Sequence, residues 1–444
     1  MKDQIQLSDH FGYGRLIRFT IPSVLMMIFT SIYGVVDGFF VSNFVGKTPF
    51  AAVNLIMPFL MVVGAFGFMF GAGGSALIAK TMGEGRLEKA REIFSTVTCA
   101  TVICGVTIAA LSILFLRPIA SALGAEGELL EDCILYGRVI LLALPFLMLQ
   151  YAFSSYVITA EKPKLGLIIT VIAGVTNMVG DFLFMAVLEW GIVGAALATA
   201  LGQMMGGLIP LIYFSRKNSS CLRLGKPKWD GKALLRVFTN GSSELMSNAS
   251  MALVGILYNI QLMKYAGENG VAAYGTTMYV TFIFLAVFIG YSTGIAPVIS
   301  FHYGAEKPEE VRGIRRRSTV IILSSSALMF LISEFLATPL AKIFVGYDPE
   351  LLEMTVRAFQ VYAFSFLFSG FAIFGSVFFT ALNDGLTSAL IAFLRTLVFQ
   401  IAAVMLMPLI WDVDGIWYSV VVAEVMAAAA SAMFLMIKRK KYHY

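Results

Sequence analysis

Long apolar runs separated by short polar segments dominate the chain. Each run is at least as long as the stretch of about 20 residues that an α-helix needs to cross a bilayer. We mark twelve such runs, at approximately residues 15–44, 51–79, 93–116, 133–160, 165–188, 191–214, 234–264, 271–300, 315–338, 355–381, 386–410 and 415–437. The pattern predicts an all-α polytopic membrane protein with twelve transmembrane helices.

The second half of the chain repeats residues that mark the loops of the first half. Adding 221 to a residue number in the first half reaches the same residue type at many of these positions. Examples are the pairs Gly46 and Gly267, Gly83 and Gly304, Arg91 and Arg312, and Pro118 and Pro339. Six spans is an even number, so both halves have one orientation and form a parallel repeat. We expect a six-helix lobe at 1–214, a cytoplasmic linker at 215–233 and a second six-helix lobe at 234–444.

Composition and charge place the protein in a membrane. Hydrophobic residues make up 59% of the chain and charged residues 13%, about half the charged fraction of roughly 25% in soluble domains. Basic residues follow spans two, six, eight and twelve, whereas the intervening loops are acidic or nearly neutral. The positive-inside rule then predicts two cytoplasmic termini. The polar N-terminus does not resemble a signal peptide, and we expect a bacterial plasma-membrane protein.

The same inventory argues against several partners and cofactors. The net charge of +5 is spread over short loops, so we expect no nucleic-acid partner. Four cysteines without CxxC spacing and three histidines predict no resident metal and no cofactor. The expected partners are the lipid bilayer and small organic substrates, and we expect a monomer.

Four polar residues within the apolar runs of the first half are the strongest functional candidates, because charge inside a bilayer costs at least about 2.5–3.5 kcal/mol per residue. Asp37 lies in span one, Asn177 and Asp181 lie four residues apart in span five, and Thr199 lies in span six. The spacing of four places Asn177 and Asp181 on one helix face. If these helices converge, the oxygens could hold Na⁺ or share a proton; a structural hydrogen-bonded network is the alternative.

The second half has different polar residues in its spans. The counterparts of Asp37, Asn177, Asp181 and Thr199 at +221 are Tyr258, Val398, Ala402 and Val420. Cation coupling is therefore expected in the first lobe. The charged residues in the spans of the second half are Glu244, Glu334, Arg395 and Glu424. Contact with substrate, mutual pairing, and snorkelling of Arg395 to the membrane boundary all remain open for them.

Two further features bear on transport. Pro22 lies inside span one, where a proline removes a backbone hydrogen bond and permits a kink; a moving kink and a static bend are both open. Flexible and aromatic side chains suit a cavity that accepts many apolar shapes. Candidate cavity residues are Tyr33, Phe153, Tyr156, Glu244, Met251, Tyr258 and Met278.

Pro22, Asp37, the segment NMVGD with Asn177 and Asp181, and Thr199 in GAALATA together resemble the multidrug and toxic compound extrusion (MATE) family. The segment NGSSELMSNAS looks most like its MepA-type branch, and the first-lobe residues resemble those of its DinF-type members. The resemblance covers the whole chain and implies a V-shaped pair of helix bundles that opens alternately to each side. It also implies that the four polar residues form a cation site and that the first helix kinks at Pro22. The acidic second-lobe site of some members is not clearly matched by Glu244.

The sequence therefore predicts a secondary antiporter that gives resistance to antibiotics and other xenobiotics. It would export lipophilic and cationic organic compounds in exchange for H⁺ or Na⁺. A flippase for lipids or oligosaccharide-lipids is an alternative within transport, although such proteins often have more spans and a cationic cavity. A membrane enzyme such as a prenyltransferase would need Asp-rich Mg²⁺ motifs, and NMVGD supplies one carboxylate. We therefore expect no enzymatic activity.

Overall fold

The computed structural model describes residues 5–444, so the first four residues of the predicted first lobe lie outside it. The helices are α1 (Tyr13–Phe44), α2 (Lys47–Gly83), α3 (Leu87–Leu114), α4 (Leu116–Ala122), α5 (Gly127–Thr159), α6 (Pro163–Asp181), α7 (Gly191–Ser215), α8 (Gly231–Gly304), α9 (Pro308–Val345), α10 (Pro349–Ala381), α11 (Gly385–Phe393), α12 (Phe399–Leu406) and α13 (Pro408–Tyr442). Two π-helical segments complete the order: Phe182–Val187 follows α6, and Leu394–Val398 joins α11 to α12.

Helix α8 contains two spans. Its 74 residues would extend for about 110 Å as one straight helix, whereas the hydrocarbon core of a bilayer is about 30 Å thick. The break is at Gly267, whose φ of 63° and ψ of −154° are not helical. Glycine adopts this backbone conformation without a Cβ clash. Eleven helical stretches of the described chain are long and apolar enough to cross a membrane, and α8 raises the number of spans to twelve.

The helices form two lobes, which confirms the predicted fold class. In the first lobe, α5 packs against α2, α3 and α7, and α6 packs against α1 and α7. In the second lobe, α10 packs against α8, α9 and α13. The lobes meet mainly where α8 crosses α1 and α2. Residues 216–230, which connect the lobes, contain no helix.

The lobes touch most closely toward one face, which we call the terminal face. It carries the start of the described chain at Ile5, the C-terminal Tyr444 and the connections 84–86, 216–230 and 305–307. A Cβ added to Gly73 would meet the carbonyl oxygen of Val237, and one added to Gly241 would meet that of Met69. Nearer the loops, Gly83 and Gly304 allow the same close approach to Phe301 and Lys80. Only hydrogen side chains permit this contact, so the glycines seal the terminal face.

The approach is looser toward the opposite face. A Cβ on Gly38 would lie 3.8 Å from the hydroxyl of Tyr279. The hydroxyl of Ser31 lies 3.4 Å from the carbonyl oxygen of Phe282. The described conformation is therefore sealed at the terminal face.

The segment before α1 crosses the terminal face and contacts both lobes. The backbone N–H of Leu7 donates to Glu161 Oε1 of the first lobe at 2.7 Å. Arg317 of the second lobe donates to the carbonyl of Phe11 at 2.8 Å. The Phe11 ring is fully buried and packs edge-on against Phe19 and His302. This segment therefore joins the lobes where they are closest.

Candidate cation and substrate sites

The four polar residues of the first lobe converge at one place within the membrane-spanning region. Asp37 comes from α1, Asn177 and Asp181 from α6, and Thr199 from α7. Asn177 Nδ2 donates to Asp37 Oδ1 at 3.4 Å, and Thr199 Oγ1 donates to the same oxygen at 3.3 Å. The structure thus assembles the oxygen-rich cluster that the sequence suggested.

Asp181 is the least satisfied member of this cluster. Its side chain is fully buried and lies against the Asp37 carboxyl. Within residues 5–444, neither Asp181 carboxyl oxygen has a hydrogen-bond partner, and Asn177 Oδ1 has none. Unpartnered buried oxygens are costly. A proton shared with Asp37, or a monovalent cation between the two carboxyls, would satisfy them.

Local packing fixes this arrangement. A Cβ on Gly202 of α7 would lie 3.0 Å from the Asn177 Cβ, so α6 and α7 meet closely at the cluster. Directly after Asp181, the π-helical segment Phe182–Val187 widens the helix, a distortion that is frequent at functional sites. Tyr136 of α5 is buried and lies beside Thr199 and both carboxyls. Sequence reasoning missed Tyr136, because a neutral tyrosine in an apolar run gives no signal.

A cavity in the first lobe lies next to the cluster. Tyr33, one turn before Asp37, interacts with both Asp37 and Gln150. Gln150 lines the cavity together with Phe153 and Met27. Tyr33 is therefore placed between the cluster and this cavity, and Phe153 lies at the cavity wall.

A larger cavity lies between the lobes and contains about 1250 Å³ of empty space, part of it open to solvent. Met27, Phe68 and Ser75 come from the first lobe. Glu244 and Met251 come from the second lobe. We call this space the central cavity. Its walls combine apolar side chains with a few hydroxyls and one unbridged carboxylate.

A third cavity, within the second lobe, contains about 710 Å³ of empty space, part of it open to solvent. Tyr258 and Met278 line it. The Tyr258 hydroxyl donates to Gln400 Oε1 at 2.9 Å and lies 2.8 Å from Ser419 Oγ. Spans seven, eleven and twelve thus bring together a neutral network, as spans one, five and six bring together the acidic cluster. The +221 register pointed instead to Val398, Ala402 and Val420, and it missed Gln400 and Ser419.

The charged residues of the second lobe have distinct positions. Arg395 makes a bidentate ion pair with Glu424, with Nε–Oε2 at 3.0 Å and Nη2–Oε1 at 2.9 Å. It therefore does not snorkel to the membrane boundary. Glu334 is half-buried on α9 and lines none of the three cavities in the described structure.

One candidate cavity residue, Tyr156, differs from the sequence-based expectation. Tyr156 is fully buried, donates to the carbonyl of Phe70 at 2.7 Å and packs against Phe94. It lines none of the three cavities of the described structure and is a packing residue, because a close helix contact covers it. Pro22 is buried in α1, which is a single helix from Tyr13 to Phe44; the moving kink stays a prediction.

A twelve-span protein with two like lobes around a shared cavity has the architecture of a secondary membrane transporter. The MatE family profile matches residues 22–183 and 245–406, one segment in each lobe. These segments together cover more than half of the chain. The chain belongs to the MatE family, and it is a multi-pass membrane transporter rather than an enzyme.

Named relatives cover nearly the whole chain. It is 25% identical over 442 residues to the multidrug export protein MepA of Staphylococcus haemolyticus, covering 98% of this chain and 96% of the relative. It is 24% identical to MepA of Staphylococcus saprophyticus, covering 96% of this chain and 94% of the relative.

Solved structures share the fold. A crystal structure of MATE in complex with MaL6 has a TM-score of 0.94 and 22% identity, with 100% of both chains covered. An outward-facing multidrug resistance MATE family transporter has a TM-score of 0.93 and 22% identity, covering 100% of this chain and 99% of that chain.

Proposed function

We propose that the protein is a secondary active multidrug exporter. In this proposal it releases lipophilic and cationic organic compounds in exchange for H⁺ or Na⁺. The relatives described as multidrug export proteins support the substrate class. The observation that carries the proposal is the first-lobe cluster, in which a carboxyl without a hydrogen-bond partner in the described structure faces a second carboxyl.

Cation binding would act on α1. Asp37 is the cluster residue of α1, whereas Asn177, Asp181 and Thr199 belong to α6 and α7. A proton or Na⁺ between Asp37 and Asp181 removes the repulsion of two close carboxylates and draws α1 toward α6. Because α1 also packs on α8 of the other lobe, this movement changes the walls of the first-lobe and central cavities. Pro22 is the proposed point of bending.

The direction of transport follows from which face opens. The described conformation, sealed at the terminal face by the glycine contacts, corresponds to the state that releases substrate and receives the coupling cation. With cytoplasmic termini, as the distribution of basic loops predicts, that state faces outward. The acidic cluster and the three cavities lie within one chain, so a monomer would suffice for transport.

The composition of the central cavity favours small organic substrates over lipid-linked anions. A flippase for phosphate-bearing lipids needs cationic groups in its cavity. Among the described residues that line the central cavity, Arg395 is the single basic side chain, and Glu424 neutralises it. The unbridged carboxylate of Glu244 in the same cavity favours positively charged cargo.

Purified protein in proteoliposomes tests the coupling. A pH gradient and a Na⁺ gradient are imposed in turn, and export of a fluorescent organic cation is followed. We expect one gradient to drive export, and Asp37→Asn or Asp181→Asn each to slow it by about tenfold or more, since each removes a group that binds the cation. Glu334→Gln, which changes an intramembrane carboxyl outside the three cavities, is the matched control. Gradient-driven export at the wild-type rate in both aspartate variants would falsify the proposal.

A further inference from the structure

We infer that the second lobe contains a binding site for a small organic cation, formed by Glu424 and three tyrosines, and that the guanidinium of Arg395 occupies this site in the described conformation. The arginine is in this view a tethered competitor that a cationic substrate displaces. The inference rests on the proposed function for its substrate class, but binding at this site needs no gradient.

The ion pair is placed where a substrate would have to pass. Arg395 lines both the central cavity and the second-lobe cavity, as do Met251 and Thr396. Glu424 lines the second-lobe cavity. The side chains of Arg395 and Glu424 are 16% and 6% exposed. The guanidinium therefore stands at the boundary of the two cavities with its charge directed at a carboxylate that water scarcely reaches.

The surroundings of Glu424 suit an organic cation. Tyr258 and Tyr274 stack with ring centroids 5.3 Å apart, and both rings line the cavity with Tyr362. Glu424 is close enough to interact electrostatically with Tyr258 and Tyr362. Aromatic faces attract ammonium and guanidinium groups, and a buried carboxylate adds the counter-charge. The cavity therefore has the chemistry of an aromatic cage for a quaternary or protonated amine.

The charges allow displacement without leaving Arg395 buried and unpaired. Glu244 lines the central cavity beside Arg395 and interacts with it electrostatically. Glu244 makes no ion pair to any residue in 5–444 in this conformation. Arg395 can therefore exchange Glu424 for Glu244, which avoids the cost of an uncompensated buried charge. When Glu244 is ionised, two carboxylates and one guanidinium give these cavities a net charge of −1, which one monovalent cation neutralises.

The backbone at Arg395 is suited to such an exchange. Arg395 lies in the π-helical segment Leu394–Val398, between α11 and α12. π-Helical turns are wider than α-helical ones and are frequent at functional sites. The end of the arginine side chain can move between two carboxylates by rotating its own χ angles.

Equilibrium binding of benzyltrimethylammonium to the purified full chain, without any ion gradient, tests the inference. We expect Arg395→Gln to bind this probe about tenfold more tightly or better, because the competitor is lost. The double variant Arg395→Gln with Glu424→Gln should lose this gain. Arg357→Gln is the matched control, since Arg357 pairs with Asp414 through Nε–Oδ1 at 2.7 Å outside the cavities.

A second variant keeps the test decisive if Arg395→Gln fails to fold. Glu244→Gln leaves the Arg395–Glu424 pair in place but removes the carboxylate that would receive the displaced arginine. Displacement of Arg395 by the probe then leaves a buried unpaired charge, so probe binding should weaken by about tenfold. Unchanged or weaker binding in a folded Arg395→Gln protein would overturn the inference, as would binding of benzoate that depends on Arg395. Probe binding is measured without any gradient, whereas coupling is measured as gradient-driven export, so failure of the coupling proposal and failure of this site give different results.

Discussion

The Asp37 carboxyl accepts two long hydrogen bonds, from Asn177 at 3.4 Å and from Thr199 at 3.3 Å. Bonds of this length are weaker than the usual separation near 2.9 Å. They hold the carboxyl toward Asp181 without satisfying it fully. In the proposed function, the amide and hydroxyl therefore position Asp37 for a cation rather than replace that cation.

The Thr199 hydroxyl allows its own contribution to cation binding to be tested. We expect Thr199→Val, which keeps the side-chain shape, to weaken the apparent affinity for the coupling cation by about tenfold, or about 1.4 kcal/mol. Export rates measured over a range of cation concentrations give this affinity. Thr199→Ser retains the hydroxyl and should stay within about threefold of wild type. Equal cation affinities in the valine and serine variants would show that the hydroxyl takes no part.

At the scale of elements, spans five and eleven share a departure from regular helix. The first-lobe span widens at Phe182–Val187, directly after Asp181. The second-lobe span widens at Leu394–Val398, which includes Arg395. These spans correspond in the repeat, and each places its π-helical segment beside an intramembrane charge. The two segments lie at different places along their spans, because adding 221 to Phe182–Val187 gives 403–408 rather than 394–398.

Helix α8 provides a prediction at this scale. A Cβ at position 241 would collide with the carbonyl oxygen of Met69. Gly241→Ala should therefore separate α8 from α2 and shift the protein away from the conformation sealed at the terminal face. Spin labels on the connections at Arg86 and Lys307 should report a longer distance between the lobes.

The matched control for this change lies on the same helix. No atom lies within 4 Å of the place that a Cβ on Gly255 would take, so Gly255→Ala should leave the distance distribution unchanged. If Gly241→Ala and Gly255→Ala both gave the wild-type distribution of label distances, the glycine contacts would not control closure of the terminal face.

The elements also show why sequence reasoning succeeded for spans and only in part for sites. Apolar length and intramembrane charge are local signals, so the twelve spans, Asp37 and Asp181 were visible. Gln400 was missed because it follows Asn177 by 223 residues rather than 221. The two family matches start at 22 and 245, which is the same separation of 223. The sequence left pairing of Arg395 as one possibility without selecting Glu424, and it could not predict the burial of Tyr156, because both depend on helix rotation.

At the scale of the whole molecule, the terminal face is held in two ways. Glycine contacts bring α2 and α8 together directly. The segment before α1 adds a bridge, since Leu7 bonds to Glu161 in one lobe and Phe11 packs on His302 in the other. Opening toward the terminal face must break both sets of contacts. In the proposed transport cycle, the bridge therefore contributes to the balance between the two conformations.

Phe11 allows the contribution of the bridge to be measured. Phe11→Ala removes a fully buried ring between Phe19 and His302, a change that typically costs about 3–5 kcal/mol in a packed core. If loss of the ring destabilises every conformation by the same amount, the thermal midpoint falls and the distance between labels at Arg86 and Lys307 stays the same. We expect instead a longer distance together with the lower midpoint, because opening of the terminal face separates Phe11 from one lobe. Tyr13→Ala, at a ring that is 47% exposed, is the control and should change neither the midpoint nor the distance. A lower midpoint with an unchanged distance in Phe11→Ala would argue against a conformational role for the bridge.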